Sequence, residues 1–221
     1  MDHFGSSASS MPMAGSVTPA SYLPSGQEVP PPSGFIGFCL RHEADCEGGT
    51  DKPSDLPLTP GRWTELNTVN DFVNRQPQVS DLAHYGVAEY WTYADARGGG
   101  DCEDLALEKR RLLVSQGWPA DALLIATVRE WNGDGHAVLL VETAAGEFVL
   151  DNKNWRIVPA AETPYIWRAR QSRQRPYVWV NLDRGSFRQL ATALPPLGAP
   201  VPFIEAVRTA SIARHTAIRI D

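Results

Sequence analysis

Apolar residues between Trp63 and about Trp91 recur at three- and four-residue steps, with Leu66, Val69, Phe72 and Val73 on one helical face. Gly98-Gly99-Gly100 interrupts that period. A second helix is predicted from about Cys102 to Gln116, stopped by Gly117 and Pro119. Its apolar face carries Cys102, Leu105, Ala106, Leu112 and Leu113. Beyond Pro119 the pattern changes to that of strands: Ala122–Glu130, His136–Glu142 and Glu147–Asn152. The first connecting turn holds Asn132-Gly133 and Asp134-Gly135, which supply positive φ at least cost, and the second is Thr143-Ala144-Ala145-Gly146. A further strand is predicted at Tyr177–Leu182, and Pro202–Arg214 is amphipathic enough for a closing helix. Helices first and hairpin-linked strands afterwards describe an α+β fold with an antiparallel sheet.

The 221 residues suit one domain of ordinary size, and 43% hydrophobic with 21% charged residues is the composition of a globular protein. Residues 1–34, rich in Ser, Pro and Gly and ending near Pro30-Pro31-Pro32, read as a mobile leader. The domain proper is expected over 35–185, with 186–221 as a C-terminal extension. A net charge of −6 argues against nucleic acid as a partner, which usually demands a basic patch. No apolar run is long enough to span a bilayer. The first residues lack a charged n-region and a continuous apolar h-region, so they do not read as an intact signal peptide.

Three cysteines change the picture: Cys39, Cys46 and Cys102. Cys39 and Cys46 are close enough to close a small disulfide loop, which leaves Cys102 as the odd thiol; three buried free thiols are the alternative. Cys102 lies in GGGDCEDLALEKRRLL. The glycines allow a tight backbone entry, Asp101 is placed as an N-cap, and Glu103 and Asp104 put negative charge in the first turn. A thiol at a helix N-terminus is expected to ionise more readily, and the free N–H groups there are candidates for an oxyanion hole.

His136 opens one predicted strand and Asp151 closes the next. A hairpin centred on Ala144-Ala145 sets Glu142 opposite Glu147 and Val138 opposite Asp151. Side chains alternate with period two, so His136 shares a face with Val138 and therefore with Asp151. The two become diagonal neighbours, roughly 7–8 Å apart at the backbone and within reach of a hydrogen bond. A connection of odd length would put them on opposite faces. Thiol, imidazole and carboxylate are the three groups that nucleophilic acyl transfer requires: attacker, proton carrier and orienting acid. Taken singly, each has a blander reading as buried thiol, hairpin histidine or turn residue; the joint geometry favours chemistry.

GGGDCEDLALEKRRLL, followed by GHAVLLVE and FVLDN, resembles the bacterial transglutaminase-like cysteine proteinase family (LapG-like). EYW, PPSGFIGFC and YVWVNL add to the likeness, which covers about residues 30–185. The resemblance implies a papain/transglutaminase-like fold with Cys102 as nucleophile, His136 as base and Asp151 as orienting acid. It implies a periplasmic or secreted cysteine protease, and characterised members clip large surface adhesins near an Ala-Ala pair to release biofilms. It further implies calcium bound by Asp101 and Glu103, with Asp95 and Asp104 as additional candidates, and a membrane-anchored cyclic-di-GMP-responsive receptor as a partner beside the protein substrate. Calcium prefers six to eight oxygen ligands, and from the residues alone Asp101 and Glu103 read first as helix-cap acids.

Other features weigh less. The glycine run lacks the GK[ST] of a phosphate loop. His42 near Cys39 and Cys46 lacks zinc-site spacing. Arg168, Arg170, Arg173 and Arg175 read as a solvated face. Trp91 and Trp131 bracket the candidate segments, as cleft walls or as core. Two rivals to a peptidase remain: acyl transfer to an amine, and an inactive binding or regulatory module on the same fold.

Overall fold

A computed structural model describes residues 22–49, 55–95 and 98–182. The elements follow in the order β1 (Glu28–Val29), α1 (Ser33–Arg41), α2 (Glu43–Cys46), α3 (Pro60–Asn74), α4 (Asp81–Tyr85), α5 (Cys102–Ser115), β2 (Leu123–Arg129), β3 (Gly135–Thr143), β4 (Gly146–Leu150), β5 (Val158–Pro159), β6 (Ile166–Gln171) and β7 (Trp179–Asn181). The strands form one antiparallel sheet in the order β1-β7-β6-β2-β3-β4-β5. This is the α+β arrangement that the pattern of periods predicts.

The long helical tract splits in two. Thr59 caps α3 by accepting from the Arg62 N–H, with Pro60 in the first turn. Pro77 follows closely on the end of α3 and cannot continue it. Ser80 then caps the short α4, which ends at Gly86 in the left-handed region at φ 74°. Leu66, Val69 and Val73 are buried as expected, whereas Phe72 points to solvent.

The sheet separates two apolar layers. Leu123, Ile125, Leu139, Val141, Phe148 and Leu150 meet Leu66, Val73, Leu105 and Leu113 of α3 and α5 in the main core. The alternate residues, among them Val128, Val138, Leu140 and Val149, gather on the opposite face with Leu23, Tyr165 and Trp167. Phe35, Trp91 and Trp179 pack edge to face and join α1 to β7 in the main core. Cys39 and Cys46 are joined by a disulfide that fastens α1 to α2. The His42 ring lies against Phe38 and Tyr93, so it serves packing rather than a zinc site.

Two expectations change. Part of the presumed leader belongs to the sheet: β1 pairs with β7, and the Tyr22 hydroxyl donates to the Thr143 carbonyl 2.8 Å away. Backbone hydrogen bonds and the partly buried Leu23 hold this Pro-rich segment in place of helix or core periodicity. The arginine cluster is a solvated face only in part: Arg168 and Arg175 are exposed, whereas Arg170 and Arg173 turn to buried glutamates. Arg170 is 2% exposed and pairs with Glu142 and Glu147, Arg173 pairs with Glu142, and Arg175 with Glu28. Residues 1–21 of the leader, and the extension 186–221 with its expected helix, lie outside the described residues.

Candidate active site

The entry to α5 explains its glycines. Gly99 has φ +71°, and a Cβ there would stand 1.8 Å from the Pro77 carbonyl oxygen, so only glycine fits. Gly100 packs where a Cβ would meet the Asp104 side chain at 2.5 Å. This close approach brings the residues after α3 against the start of α5, with Cys102 as its first residue.

β3 and β4 adopt the register expected from the sequence: Glu142 faces Glu147, Leu140 faces Val149 and Leu139 faces Leu150. Asp151 stands one residue beyond β4. Nε2 of His136 lies 2.8 Å from Oδ1 of Asp151, and both residues are buried. The backbone N–H of Lys153 donates to the same oxygen at 2.9 Å, and the Tyr165 hydroxyl donates to Oδ2. Burial alone would raise the Asp151 pKa. The bonds from His136, Tyr165 and Lys153 outweigh it and hold the carboxyl below its usual range. With Nε2 turned to Asp151, the Nδ1 atom of His136 is the nitrogen left for a reacting group.

Cys102 and His136 line one cleft of about 430 Å³, formed where the first turn of α5 meets the end of β2 and the start of β3. Its other walls include Trp91, Glu89, Pro32 and Val128. Trp91 is at once core and cleft wall, with its indole N–H donated to Glu89 at 3.0 Å. Trp131 is 89% exposed at the β2–β3 turn and belongs to neither.

The electrostatics of the cysteine differ from the expectation of an easily ionised thiol. Burial first, and then the Glu103 carboxylate that accepts from Sγ at 3.0 Å, push the Cys102 pKa up; the Ala137 N–H pulls it down. Burial is the larger of the two raising effects and the neighbouring carboxylate the smaller. Asp101 holds the N-cap position but makes no side-chain cap; its Oδ2 instead accepts from the Asp81 N–H at 3.2 Å.

Asp81, Asp101 and Glu103 bring one carboxylate oxygen each within 4.8 Å of one another. Burial, followed by the charge of Asp101, drives Glu103 up to about 8, and burial raises Asp101 as well. Oδ1 of Asp81 and Oδ1 of Asp101 are buried without a hydrogen-bond partner. Orphaned carboxylate oxygens facing like charges are the donor set a hard divalent cation fits. Asp95 and Asp104 are not part of this group of three: Asp95 accepts from the Gly98 N–H at 2.5 Å and one oxygen of Asp104 from the Thr92 N–H at 2.8 Å, while Oδ2 of Asp104 is buried without a hydrogen-bond partner. Asp81, twenty positions before Asp101, had no local motif to mark it. Tyr165, in TPYIW, likewise stood too far from the hairpin to be read as its partner.

Cys102 at the start of a helix thus shares a cleft with a histidine that is hydrogen-bonded to a buried carboxylate. The family model described as bacterial transglutaminase-like cysteine proteinase, BTLCP, matches residues 25–186. The chain belongs to this family and is a cysteine protease. Among solved structures it is similar to calcium-bound LapG of Legionella pneumophila, with 24% identity and a TM-score of 0.47 over 62% of this chain and 81% of that one. EGTA-treated LapG of the same organism gives 24% identity and 0.45 over 62% and 78%. No curated protein matches the chain. No helix among the described residues is long and apolar enough to cross a membrane.

Proposed function

We propose that this protease cleaves a protein substrate through Cys102, His136 and Asp151, by way of an acyl-thioester. The observation that carries the reading is the buried 2.8 Å contact between His136 and Asp151, with His136 sharing a cleft with Cys102. The scissile carbonyl enters that cleft. Cys102 passes its thiol proton to Nδ1 of His136 as sulfur bonds to the carbonyl carbon. Backbone N–H groups at the start of α5 face the developing oxyanion. The C–N bond breaks as the imidazolium returns its proton to the leaving amine. Water, deprotonated by the same imidazole, then attacks the thioester and frees the acid and the thiol. Asp151 keeps the histidine in the Nε2–H tautomer and offsets its charge.

Asp81, Asp101 and Glu103 are the residues that would hold Ca²⁺, supplying three of its oxygens. The bound ion would contribute positive charge beside the carboxylates next to Cys102. A periplasmic or secreted setting is supported by the Cys39–Cys46 disulfide, since such bonds persist in oxidising compartments. Family resemblance extends the reading to a surface adhesin-type substrate and to control by a membrane-anchored cyclic-di-GMP-responsive receptor.

The test is labelling by a thiol-reactive acyl probe at neutral pH, alongside mass spectrometry of fragments shed by cells with and without the protein. Labelling is expected to vanish in Cys102→Ala and to fall at least tenfold in His136→Ala. Labelling unchanged in Cys102→Ala removes the nucleophile. Incorporation of a labelled amine into a glutamine donor, without new protein fragments, replaces hydrolysis by acyl transfer.

A further inference from the structure

The carboxylate of Asp151 is held from more sides than a two-residue hydrogen bond requires. Oδ1 takes the His136 ring and the Lys153 N–H, while Oδ2 takes the hydroxyl of Tyr165, which arrives just ahead of β6, two strands across the sheet from β3. The Tyr165 ring also lies 5.6 Å from the His136 ring, centroid to centroid, at an angle of 59°. The phenol therefore touches both members of the pair. Around it stand the charges of Asp151 and Glu130, with Cys102 further off, while Lys109 approaches Asp151 from α5.

We infer that Tyr165 is a positioning residue for the proteolytic reaction: its hydroxyl fixes the Asp151 carboxylate so that Oδ1, and not a rotated Oδ2, meets Nε2 of His136. A carboxylate turns readily about its last bond. Asp151 stands beyond the end of β4, where no further ladder bond holds it. A donor on each oxygen removes that freedom, which in turn fixes the histidine tautomer. Burial, and then the bond to Asp151, raise the Tyr165 pKa, so the phenol is a donor throughout the working range. Glutamate or lysine at this position would bring a charge; tyrosine holds the acid without neutralising it.

The inference rests on the triad reading, and the experiment separates the two. Tyr165→Phe keeps the ring beside His136 and deletes only the hydroxyl. With N-acetyl-Ala-Ala p-nitrophenyl ester as probe, kcat is expected to fall about tenfold with KM little changed. The acid limb of kcat/KM is expected to move to higher pH, because Asp151 loses a donor to its charged form. In ¹⁵N-histidine NMR, which needs no substrate, the Nε2–H tautomer of His136 is expected to dominate in the parent and to become mixed in Tyr165→Phe. In an Asp151→Asn background, Tyr165→Phe is expected to add nothing further.

A Tyr165→Phe protein with the parent's kcat, acid limb and tautomer overturns the inference. So does one that melts earlier with the tautomer unmoved, since that is plain packing. If Asp151→Asn is inactive while Tyr165→Phe behaves as the parent, only the role of Tyr165 is lost. If Asp151→Asn keeps full activity, the triad falls and this role with it.

Discussion

Glu142 and Glu147 face each other directly across the β3–β4 hairpin, and Arg170 of β6 bonds to both. Like charges opposite one another in a sheet are unfavourable, and all three residues are almost wholly buried. The pair is tenable because the arginine lies between them, with Arg173 adding a second cation at Glu142. Arg170→Met is therefore expected to cost about 3–5 kcal/mol, since it leaves two buried carboxylates facing each other. Urea unfolding at pH 7 measures this; a loss below about 1 kcal/mol would show the cluster to be well solvated.

Lys109 carries the opposite problem. It is 1% exposed within α5, and burial lowers its pKa to about 7, with Asp151 opposing the shift. A folded pKa below the unfolded 10.5 means that stability from this group is full above 10.5 and declines as pH falls towards 7. Lys109→Met is expected to gain about 1–3 kcal/mol at pH 7 and to flatten the rise in melting temperature between neutral and alkaline pH. Identical pH curves for the two proteins would refute this.

Asp151 shows the complementary dependence. Its carboxyl is held below the unfolded value of 3.8, so the stability it supplies is present above 3.8 and lost as pH falls below that. Asp151→Asn is expected to be about 1–3 kcal/mol less stable than the parent at pH 7, with the gap closing in acid. Denaturant titrations from neutral pH to strong acid would expose a constant gap, the result that contradicts the assignment.

Three clustered carboxylates make a thermal signature for calcium. The ion at a hundredfold excess over its dissociation constant stabilises a protein by about 2.7 kcal/mol. Added Ca²⁺ is expected to raise the melting temperature of the parent, EGTA to reverse this, and Asp81→Asn to abolish the response. Asp95→Asn is expected to keep it, because that carboxylate is committed to Gly98. A parent protein indifferent to Ca²⁺ by calorimetry would rule out the site.

The register that unites His136 and Asp151 was legible because it depends on local quantities: alternation along two strands and a tight turn of small residues between them. The start of α5 was legible for the same reason, since Gly99 and Gly100 leave their mark within a few residues of Cys102. β6 was not. Its IWRARQ reads as exposed and basic, and only the buried glutamates of the neighbouring hairpin make Arg170 an interior residue. Asp81 and Tyr165 were hidden likewise, each being defined by a partner brought near through the fold. At Cys102 the helix N-terminus is visible in sequence, whereas the burial of the thiol and its contact with Glu103 are not.

Among the described residues the sheet ends on both sides with strands of two residues, Glu28–Val29 and Val158–Pro159. One rim carries a proline, which has no N–H to offer, and the other an ion pair between Glu28 and Arg175. Rims so short, and either charged or poor in donors, offer a further strand from another chain little backbone to pair with.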